Sequence, residues 1–225
     1  MESLQSVTKS KTLSDQAYEI IKQAIISNQL KPGEILAEGR LAKELSISRT
    51  PIKAALIRLV YEKIASINEN KNIIVANITL KQVRDITEVR KCIEEQVITL
   101  LEGKMSSKRI EIIEKLCITY EEAIKEKKIE EMLEADYQFH TVLAQFTDNT
   151  FLAETVKEAN QTIKRYLTLS GTFPIYSEVA YQEHQSVLEA IRAQDFVAAK
   201  EAMGTHIQKV SERMLTRETL QIGAK

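Results

Sequence analysis

The chain has 225 residues, 44% of them hydrophobic, with only six glycines, three prolines and no tryptophan. This composition favours one or two domains of long helices over a turn-rich fold. The formal net charge is −1, but residues 1–78 hold 11 Lys and Arg against 8 Asp and Glu, and the remainder holds 20 against 24. A basic front half on a nearly neutral chain suits binding to nucleic acid through one face.

Two lone cysteines, Cys92 and Cys117, lack the CxxC spacing of a zinc ribbon and do not indicate a disulfide framework. The segment from Met1 to Lys11 is polar and lacks the apolar stretch of a secretory signal. No apolar run approaches the roughly 18 residues that a membrane-spanning helix needs. The sequence therefore predicts a cytoplasmic protein without a membrane partner.

The first 78 residues have the element order of a small helical domain closed by a hairpin. After a flexible N-terminal tail over 1–12, apolar residues recur with a helical period, and three helices are predicted. Two short β-rich runs, 64–67 and 73–75, then flank a polar segment as strands flank a hairpin tip. Three helices followed by a hairpin, over 13–78, is the order of a winged helix-turn-helix domain.

The stretch 38–59 within this domain has the pattern of a DNA-reading helix pair. Two apolar faces with helical spacing flank a short turn, and Ser48 is placed to cap the second helix. The first turn of that helix presents Arg49, Thr50 and Lys53 outward, as the hydrogen-bond donors of a helix entering a major groove. An ordinary amphipathic helix pair with a solvated charged face is the alternative interpretation.

Apolar, turn and basic positions fall in register along this domain, and the pattern resembles the N-terminal domain of GntR-family transcription regulators. The resemblance covers 13 to about 78 and runs from Pro32-Gly33 through Ile47-Ser48-Arg49-Thr50-Pro51-Ile52 to Leu59. It implies that DNA is contacted by Arg40, Ser48, Arg49, Thr50, Lys53 and, at the wing tip, Lys71. The chain departs from the family at Gly39 and Lys53, where Arg is usual, and at Lys63 and Asn72, where Gly is common.

The second half of the chain is predicted to be helical throughout. Six stretches are expected at about 80–102, 107–127, 129–147, 150–170, 177–193 and 195–216. Gly103, Gly171 and Pro174 mark breaks between them. The predicted fold is mainly α: a winged helix-turn-helix of three helices and a β-hairpin wing, then an all-α antiparallel bundle of about six helices over 79–217. A C-terminal tail is expected over 218–225.

Polar side chains occupy positions on the bundle seams that should be apolar, namely Arg90, Asp136, His140, His184 and His206. Leaving any one buried and unpaired costs on the order of a few kcal/mol, which favours a shared partner. Asp136 and His140 share one helix face. His184 and His206 each lie 11 residues from Asp195, a plausible N-cap, and so stand at one height in an antiparallel helix pair. One carboxylate and three imidazoles suit a divalent transition metal such as Zn, Ni, Mn or Fe; hydrogen-bonded core histidines are the alternative.

The order Asp136-x-x-x-His140, Glu183-His184 and His206 looks like the effector domain of the FadR-like GntR subgroup. That resemblance implies a metal held by the Asp and three His, with a small carboxylate sensed beside it. Arg90 must find an anion, because a guanidinium keeps its charge when buried. Either it pairs with Glu94 on the helix flank, away from the seam, or it faces the metal and binds the carboxylate of a small organic acid effector.

The sequence thus predicts a ligand-responsive transcription regulator, not an enzyme, that binds double-stranded operator DNA as a homodimer. Two other interpretations remain open at this point. A metal-dependent hydrolase could use an Asp- and His-bound ion to activate water, although no further seam residue offers itself as the general base. An interaction module with a purely structural metal would show no dependence of DNA binding on small molecules.

Overall fold

A computed structural model describes residues 11–27 and 29–222 of the protein, with side chains described as far as residue 216. The chain divides between Asn77 and Ile78 into two compact units. Within the described residues the first unit holds three helices and a two-stranded sheet and the second holds six helices, which confirms the predicted fold class. The tail predicted over 1–12 lies almost wholly outside the described residues. None of the described helices combines the length and apolar character needed to cross a membrane.

The N-terminal unit consists of α1 (Leu13–Ile26), α2 (Glu38–Glu44), α3 (Arg49–Tyr61), β1 (Ala65–Ile67) and β2 (Ile73–Val75). α1 begins at a reciprocal capping box, in which Thr12 and Asp15 each accept a hydrogen bond from the other's backbone N–H. The inward faces of α1 and α3 pack together and bury Ile21, Ile52 and Leu56. This apolar contact fixes α3 and leaves its other face open to solvent.

The two strands form the predicted hairpin. β1 and β2 pair antiparallel with Ala65 opposite Val75. Ile35, in the segment before α2, adds a bridge to Ile74. Backbone hydrogen bonds therefore link the hairpin to the segment just before the helix-turn-helix.

The C-terminal unit consists of α4 (Leu80–Leu100), α5 (Ser107–Lys125), α6 (Ile129–Gln145), α7 (Thr150–Ser170), α8 (Phe173–Arg192) and α9 (Phe196–Ile222). α9 packs along α4 and α8, while α6 packs between α5 and α7. Phe139, Val187 and Met203 bring α6, α8 and α9 into one apolar core. Each such side chain contributes about 1.5–3 kcal/mol by leaving water. Three of the helices in this core also carry the candidate metal ligands.

The predicted start of α8 was wrong. The helix begins at Phe173 instead of 177, and Pro174 lies in its first turn. A proline is tolerated there because the first backbone N–H groups of a helix have no partner within it. The break between α7 and α8 is instead at Gly171, which adopts a left-handed conformation with φ 59° and ends α7.

The last helix was predicted at about 195–216, with a tail over 218–225, but α9 continues to Ile222. No glycine or proline occurs between Phe196 and Ile222 except Gly204, and a single interior glycine weakens a helix by only about 1 kcal/mol. The start was predicted correctly, because Oδ1 of Asp195 accepts a hydrogen bond from the Ala198 backbone N–H at 2.9 Å.

Candidate nucleic-acid interface and candidate metal centre

The first turn of α3 carries the polar side chains that the sequence assigns to DNA. Ser48 occupies the N-cap position with φ −70° and ψ 164°, and its side chain accepts no capping bond from the described residues. Arg49, Thr50 and Lys53 follow, and all three are exposed. Ile52, between them, is fully buried. The helix is therefore anchored from one side while its polar first turn remains open to a partner.

The glycine at position 39 bears directly on Arg49. A Cβ built on Gly39 would stand 3.4 Å from Nη2 of Arg49, at the short end of ordinary van der Waals contact. The Arg49 guanidinium therefore lies against the start of α2. This departure from the family pattern thus lies next to the arginine that is expected to read bases.

Arg40 and Lys71 occupy different environments. Nη2 of Arg40 donates to Oε1 of Glu34 at 2.9 Å and to the carbonyl oxygen of Ile35 at 3.1 Å. It therefore ties α2 to the segment that pairs with β2. Lys71 is exposed at the hairpin tip with φ 62°, and its backbone N–H donates to the Asn68 carbonyl. The Arg40 side chain is thus partly occupied by hydrogen bonds within the domain, whereas Lys71 lies on a tight turn.

The four candidate metal ligands come together in the C-terminal unit. Asp136 and His140 lie on α6, His184 on α8 and His206 on α9, and one possible ligand atom from each lies within 4.8 Å of all the others. Nε2 of His184 is 3.2 Å from Nε2 of His206 and 3.6 Å from Oδ1 of Asp136. All four residues are buried. The equal spacing of His184 and His206 from Asp195 predicted that the two rings lie at the same height on α8 and α9.

Two carboxylates orient the rings from behind. Nδ1 of His140 lies 2.5 Å from Oε2 of Glu94, and Nδ1 of His206 lies 2.9 Å from Oε2 of Glu183. With Nδ1 as the donor to each carboxylate, Nε2 carries the lone pair and can face a metal. Carboxylate–histidine pairs of this kind are the usual support of metal-binding imidazoles.

The chemistry of this donor set fits a divalent transition metal. Burial and the neighbouring charges of His206, His140 and Arg90 hold the pKa of His184 well below its usual value. Burial also lowers the pKa of His206, although Glu183 opposes it. Neutral imidazole is the form that binds metal. Among the described residues, Nδ1 of His184 and Oη of Tyr120 are buried without a hydrogen-bond partner. Unpaired polar atoms are uncommon in protein cores, and a bound ion is one explanation for them.

Arg90 is 1% exposed and lies beside the same cluster. Its Nε donates to Oε1 of Glu94 at 2.7 Å, and its Nη2 is 3.4 Å from Nε2 of His140. Burial disfavours the charged form of Glu94, but Arg90 and His140 outweigh it and lower the pKa of that carboxyl. Asn160 adds a hydrogen bond to Oε1 of Glu94 at 3.2 Å. The expectation that pairing with Glu94 would take Arg90 off the seam was wrong, because both side chains lie on the inward face of α4.

Several residues of the centre were not assigned a role from the sequence. Glu183 accepts from His206 and also pairs with Arg213, which lies seven residues beyond His206 on the same face of α9. The signals available were weak: Glu183 directly precedes a candidate ligand, and Arg213 follows one at two-turn spacing. Asn160 and Tyr120 carry no local pattern that distinguishes them from surface-facing polar residues.

A cavity opens beside Asp136 between α7, α8 and α9. Its volume is only about 10 Å³, which is room for about one water molecule. Its wall is formed by Leu167, Phe173, Tyr176 and Val210, with Arg213 beside them. The cavity borders the cluster through Asp136.

Comparison with known families assigns both units. The family model described as "Bacterial regulatory proteins, gntR family" matches residues 13–75, and the model described as "FCD domain" matches residues 85–209. The second match alone covers more than half of the chain. The candidate DNA-binding residues fall within the first match and the four candidate metal ligands within the second.

Curated relatives and solved structures agree with these matches. The HTH-type transcriptional repressor RspR of Escherichia coli K12 is 25% identical over 200 residues, covering 89% of this chain and 88% of that protein. The gluconate operon transcriptional repressor of Bacillus subtilis is 23% identical over 218 residues, covering 93% and 89%. The structure of E. coli McbR/YncC has a TM-score of 0.64 at 19% identity, covering 92% of this chain and 99% of the other. The fold is thus shared with a solved structure along nearly the whole chain.

Proposed function

The chain belongs to the GntR family of bacterial regulatory proteins and is a DNA-binding transcription regulator with an FCD effector-binding domain; from this premise we propose that its helical unit binds a divalent metal and a small carboxylate effector. The observation that carries the proposal is the cluster of one carboxylate and three imidazoles, whose ligand atoms lie within 4.8 Å of one another. The relatives are named as regulators, so the metal-dependent hydrolase is set aside.

DNA binding is assigned to the exposed first turn of α3 and to the wing. Arg49, Thr50 and Lys53 would contact bases and phosphates in the major groove, with Lys71 on the backbone beside it. Ser48 and Arg40 would help to position the helix on the phosphates. A single winged helix covers little DNA, so we propose that a homodimer binds a near-palindromic operator in the cytoplasm.

Metal binding is assigned to Asp136, His140, His184 and His206. The donor set suits Zn, Ni, Mn or Fe, and the ion would supply an open coordination position for a carboxylate oxygen. Glu94 and Glu183 would keep the rings of His140 and His206 in the tautomer that a metal needs. Support comes from the contacts of Glu94 with His140 at 2.5 Å and of Glu183 with His206 at 2.9 Å.

Effector recognition is assigned to Arg90. Its Nη2 lies 3.4 Å from Nε2 of His140, so a carboxylate bound at the metal would come within reach of the guanidinium. The effector can shift DNA binding only if it favours one arrangement of the regulator over another. We propose that acid binding at this centre weakens or strengthens operator affinity through the paired winged helices.

Two measurements test the proposal. Elemental analysis of protein supplied with metal and then freed of excess should find about one divalent ion per chain; under about a tenth of an equivalent contradicts it. An operator selected from random DNA by the protein then serves in gel-shift assays with a panel of organic acids. If no acid changes the operator affinity of metal-loaded protein, the metal is purely structural.

The role of Arg90 needs its own variant, because its removal leaves Glu94 buried without its ion pair. Arg90→Lys keeps the charge but loses the planar fork that binds a carboxylate in two places. It should retain metal and operator binding and lose at least about tenfold in acid affinity by calorimetry. Lys91→Ala, on the exposed face of the same helix, should behave as wild type. Unchanged acid affinity in Arg90→Lys would make Arg90 a structural partner of Glu94 only.

A further inference from the structure

The three histidines of the candidate metal centre are supported unequally. Nδ1 of His140 lies 2.5 Å from Glu94, and Nδ1 of His206 lies 2.9 Å from Glu183. Nδ1 of His184 has no hydrogen-bond partner among the described residues, although the ring is fully buried. A metal-binding imidazole almost always donates its second ring N–H to an acceptor. His184 is therefore the one candidate imidazole ligand whose support is still to be identified.

The hydrogen bonds of the cluster indicate where the proton of the His184 ring lies. Burial and the neighbouring charges hold the pKa of His184 well below its usual value, so the ring is neutral and carries one N–H. Nε2 of His206 is an acceptor, because Nδ1 of that ring donates to Glu183. The 3.2 Å contact between the two Nε2 atoms is therefore a hydrogen bond only if His184 is the donor. Nδ1 of His184 is then the unprotonated nitrogen.

Metal binding requires the other tautomer of this ring. A metal takes the lone pair of Nε2, so the proton of a neutral imidazole must lie on Nδ1. Nδ1 of His184 would thus change from an acceptor to a buried N–H donor. A buried donor without an acceptor is unfavourable, and an acceptor beside it would favour the tautomer that binds metal.

The hydroxyl of Tyr120 is the other buried side-chain atom without a hydrogen-bond partner among the described residues. The Tyr120 ring on α5 packs against the His184 ring, with centres 5.7 Å apart and planes tilted by 52°. Phe173 stacks on the same ring at 6.2 Å, and Tyr181 meets it edge-on at 5.9 Å. Burial raises the pKa of Tyr120 well above its usual value, so the hydroxyl stays neutral and its oxygen can accept a hydrogen bond.

We propose that Tyr120 is a positioning residue of the metal centre, whose hydroxyl oxygen accepts the Nδ1–H of His184 when Nε2 of that ring binds the metal. This inference rests on the proposed metal binding and identifies the support of the third imidazole. The two rings already pack together, so the hydrogen bond requires rotation of side chains and no shift of α5 against α8. The proton leaves Nε2 and returns to Nδ1 of the same ring, whose charge stays zero.

NMR of full-length protein labelled with ¹⁵N at histidine tests the tautomer of His184. The chain contains three histidines, and the spectrum of His184→Phe identifies the His184 signals by their loss. The proton of this ring should lie on Nε2 in chelator-treated protein and on Nδ1 after zinc is added. His140 and His206 should carry theirs on Nδ1 in both states. A proton on Nδ1 of His184 before zinc is added overturns the proposal.

Tyr120→Phe tests the hydroxyl itself. Zinc affinity, measured by competition with a chelator, should fall about 10–100-fold, as for other lost supports of metal ligands. In chelator-treated protein the same variant should need at least as much urea to unfold as wild type, because the hydroxyl has no partner to lose. A purely structural role would lower both quantities. The matched control is Tyr181→Phe, whose ring also meets Tyr120 but whose hydroxyl bonds Gln185, and it should bind zinc as wild type does.

The outcomes separate this inference from the proposed metal binding. If wild-type protein binds no zinc, both fail. If wild type binds zinc and Tyr120→Phe binds it equally well, the metal centre stands and this inference is overturned. The Nδ1–H signal of His184 should also exchange with water faster in zinc-loaded Tyr120→Phe than in wild type. Weaker zinc binding with an unchanged exchange rate would mean that the hydroxyl acts on another ligand, and this too overturns the inference.

Discussion

The N-terminal and C-terminal units use the same kinds of polar side chain under opposite conditions. Arg49 and Lys53 are exposed on α3, where they keep their water until a partner arrives. Arg90 is 1% exposed on α4 and lies 2.7 Å from Glu94. A buried charge must be paired or it costs several kcal/mol, whereas an exposed one needs no partner. The first arrangement suits reversible contact with DNA, and the second fixes its groups before any ligand binds.

The two units therefore tolerate different substitutions. A substitution on the first turn of α3 removes contacts to a partner and leaves the fold almost untouched, since surface changes usually alter stability by less than about 0.5 kcal/mol. A substitution in the buried cluster removes one member of a network whose other members stay buried. Stability and ligand affinity therefore change together in the C-terminal unit and separately in the N-terminal one.

The largest effect is expected for Glu94→Gln in metal-free protein. This carboxylate contacts Arg90, His140 and Asn160, so its loss leaves a buried guanidinium uncompensated. The free energy of unfolding, measured by urea denaturation, should fall by about 3–5 kcal/mol. Glu88→Gln, on the exposed face of the same helix, should change it by less than about 0.5 kcal/mol. Equal effects of the two variants would contradict the contrast between buried and exposed charges.

Metal affinity should show the next largest effect, in Glu183→Gln. The carboxylate orients His206 without being one of the four candidate ligands. Loss of such a support usually lowers metal affinity about 10–100-fold. His206→Ala removes a ligand itself and should lower affinity by more than that, as measured by competition with a chelator. If the two variants bind metal as wild type does, the cluster is only a hydrogen-bonded core.

On the N-terminal unit, Arg49→Ala should weaken specific DNA binding by about 1–3 kcal/mol. The free energy of unfolding should stay within about 0.5 kcal/mol of wild type, because Arg49 is exposed. Lys115→Ala, on the exposed face of α5, removes the same charge and should leave operator affinity unchanged. Gel-shift titration at one fixed salt concentration compares the three proteins. Unaltered operator affinity in Arg49→Ala would argue against α3 as the reading helix.

The parts of this molecule that sequence predicted are those set by helix geometry within one element or across one turn. Asp136 and His140 share a face by four-residue spacing, and the cap at Asp195 set the match of His184 with His206. Both relations follow from the fixed rise per residue and the fixed number of residues per turn of an α-helix, so they can be predicted without knowing how the helices pack.

The rest depended on contacts between distant parts of the chain. Asn160 reaches Glu94 across 66 positions, and Arg213 reaches Glu183 across 30. Which helix faces which is decided by packing of the whole bundle, and one sequence carries no local trace of it. The start of α8 was missed because a proline can either follow the end of one helix or lie in the first turn of the next. The position of Pro174 in the sequence does not distinguish these two cases.

The smallest expected effect is a pH dependence of stability that arises from His184 in the C-terminal unit. Burial holds the pKa of His184 below 6.5 in the folded protein, with help from the charges of His206, His140 and Arg90. The unfolded chain takes up a proton near pH 6.5, while the native chain stays neutral at this ring. The unfolded state therefore binds more protons, and stability must fall as the pH drops below about 6.5, by up to about 1.4 kcal/mol per pH unit for this histidine.

Urea denaturation of chelator-treated protein at about pH 7.5, 6.5 and 5.5 measures this slope. His184→Phe removes the titrating ring but keeps an aromatic face against Phe139, whose ring centre lies 4.1 Å away. Its stability should fall less steeply between pH 6.5 and 5.5, because one proton uptake by the unfolded chain is gone. The described part of the N-terminal unit contains no histidine, so Arg49→Ala should keep the wild-type slope. A His184→Phe protein with the wild-type slope would mean that the folded protein takes up a proton at His184 over the same pH range as the unfolded chain.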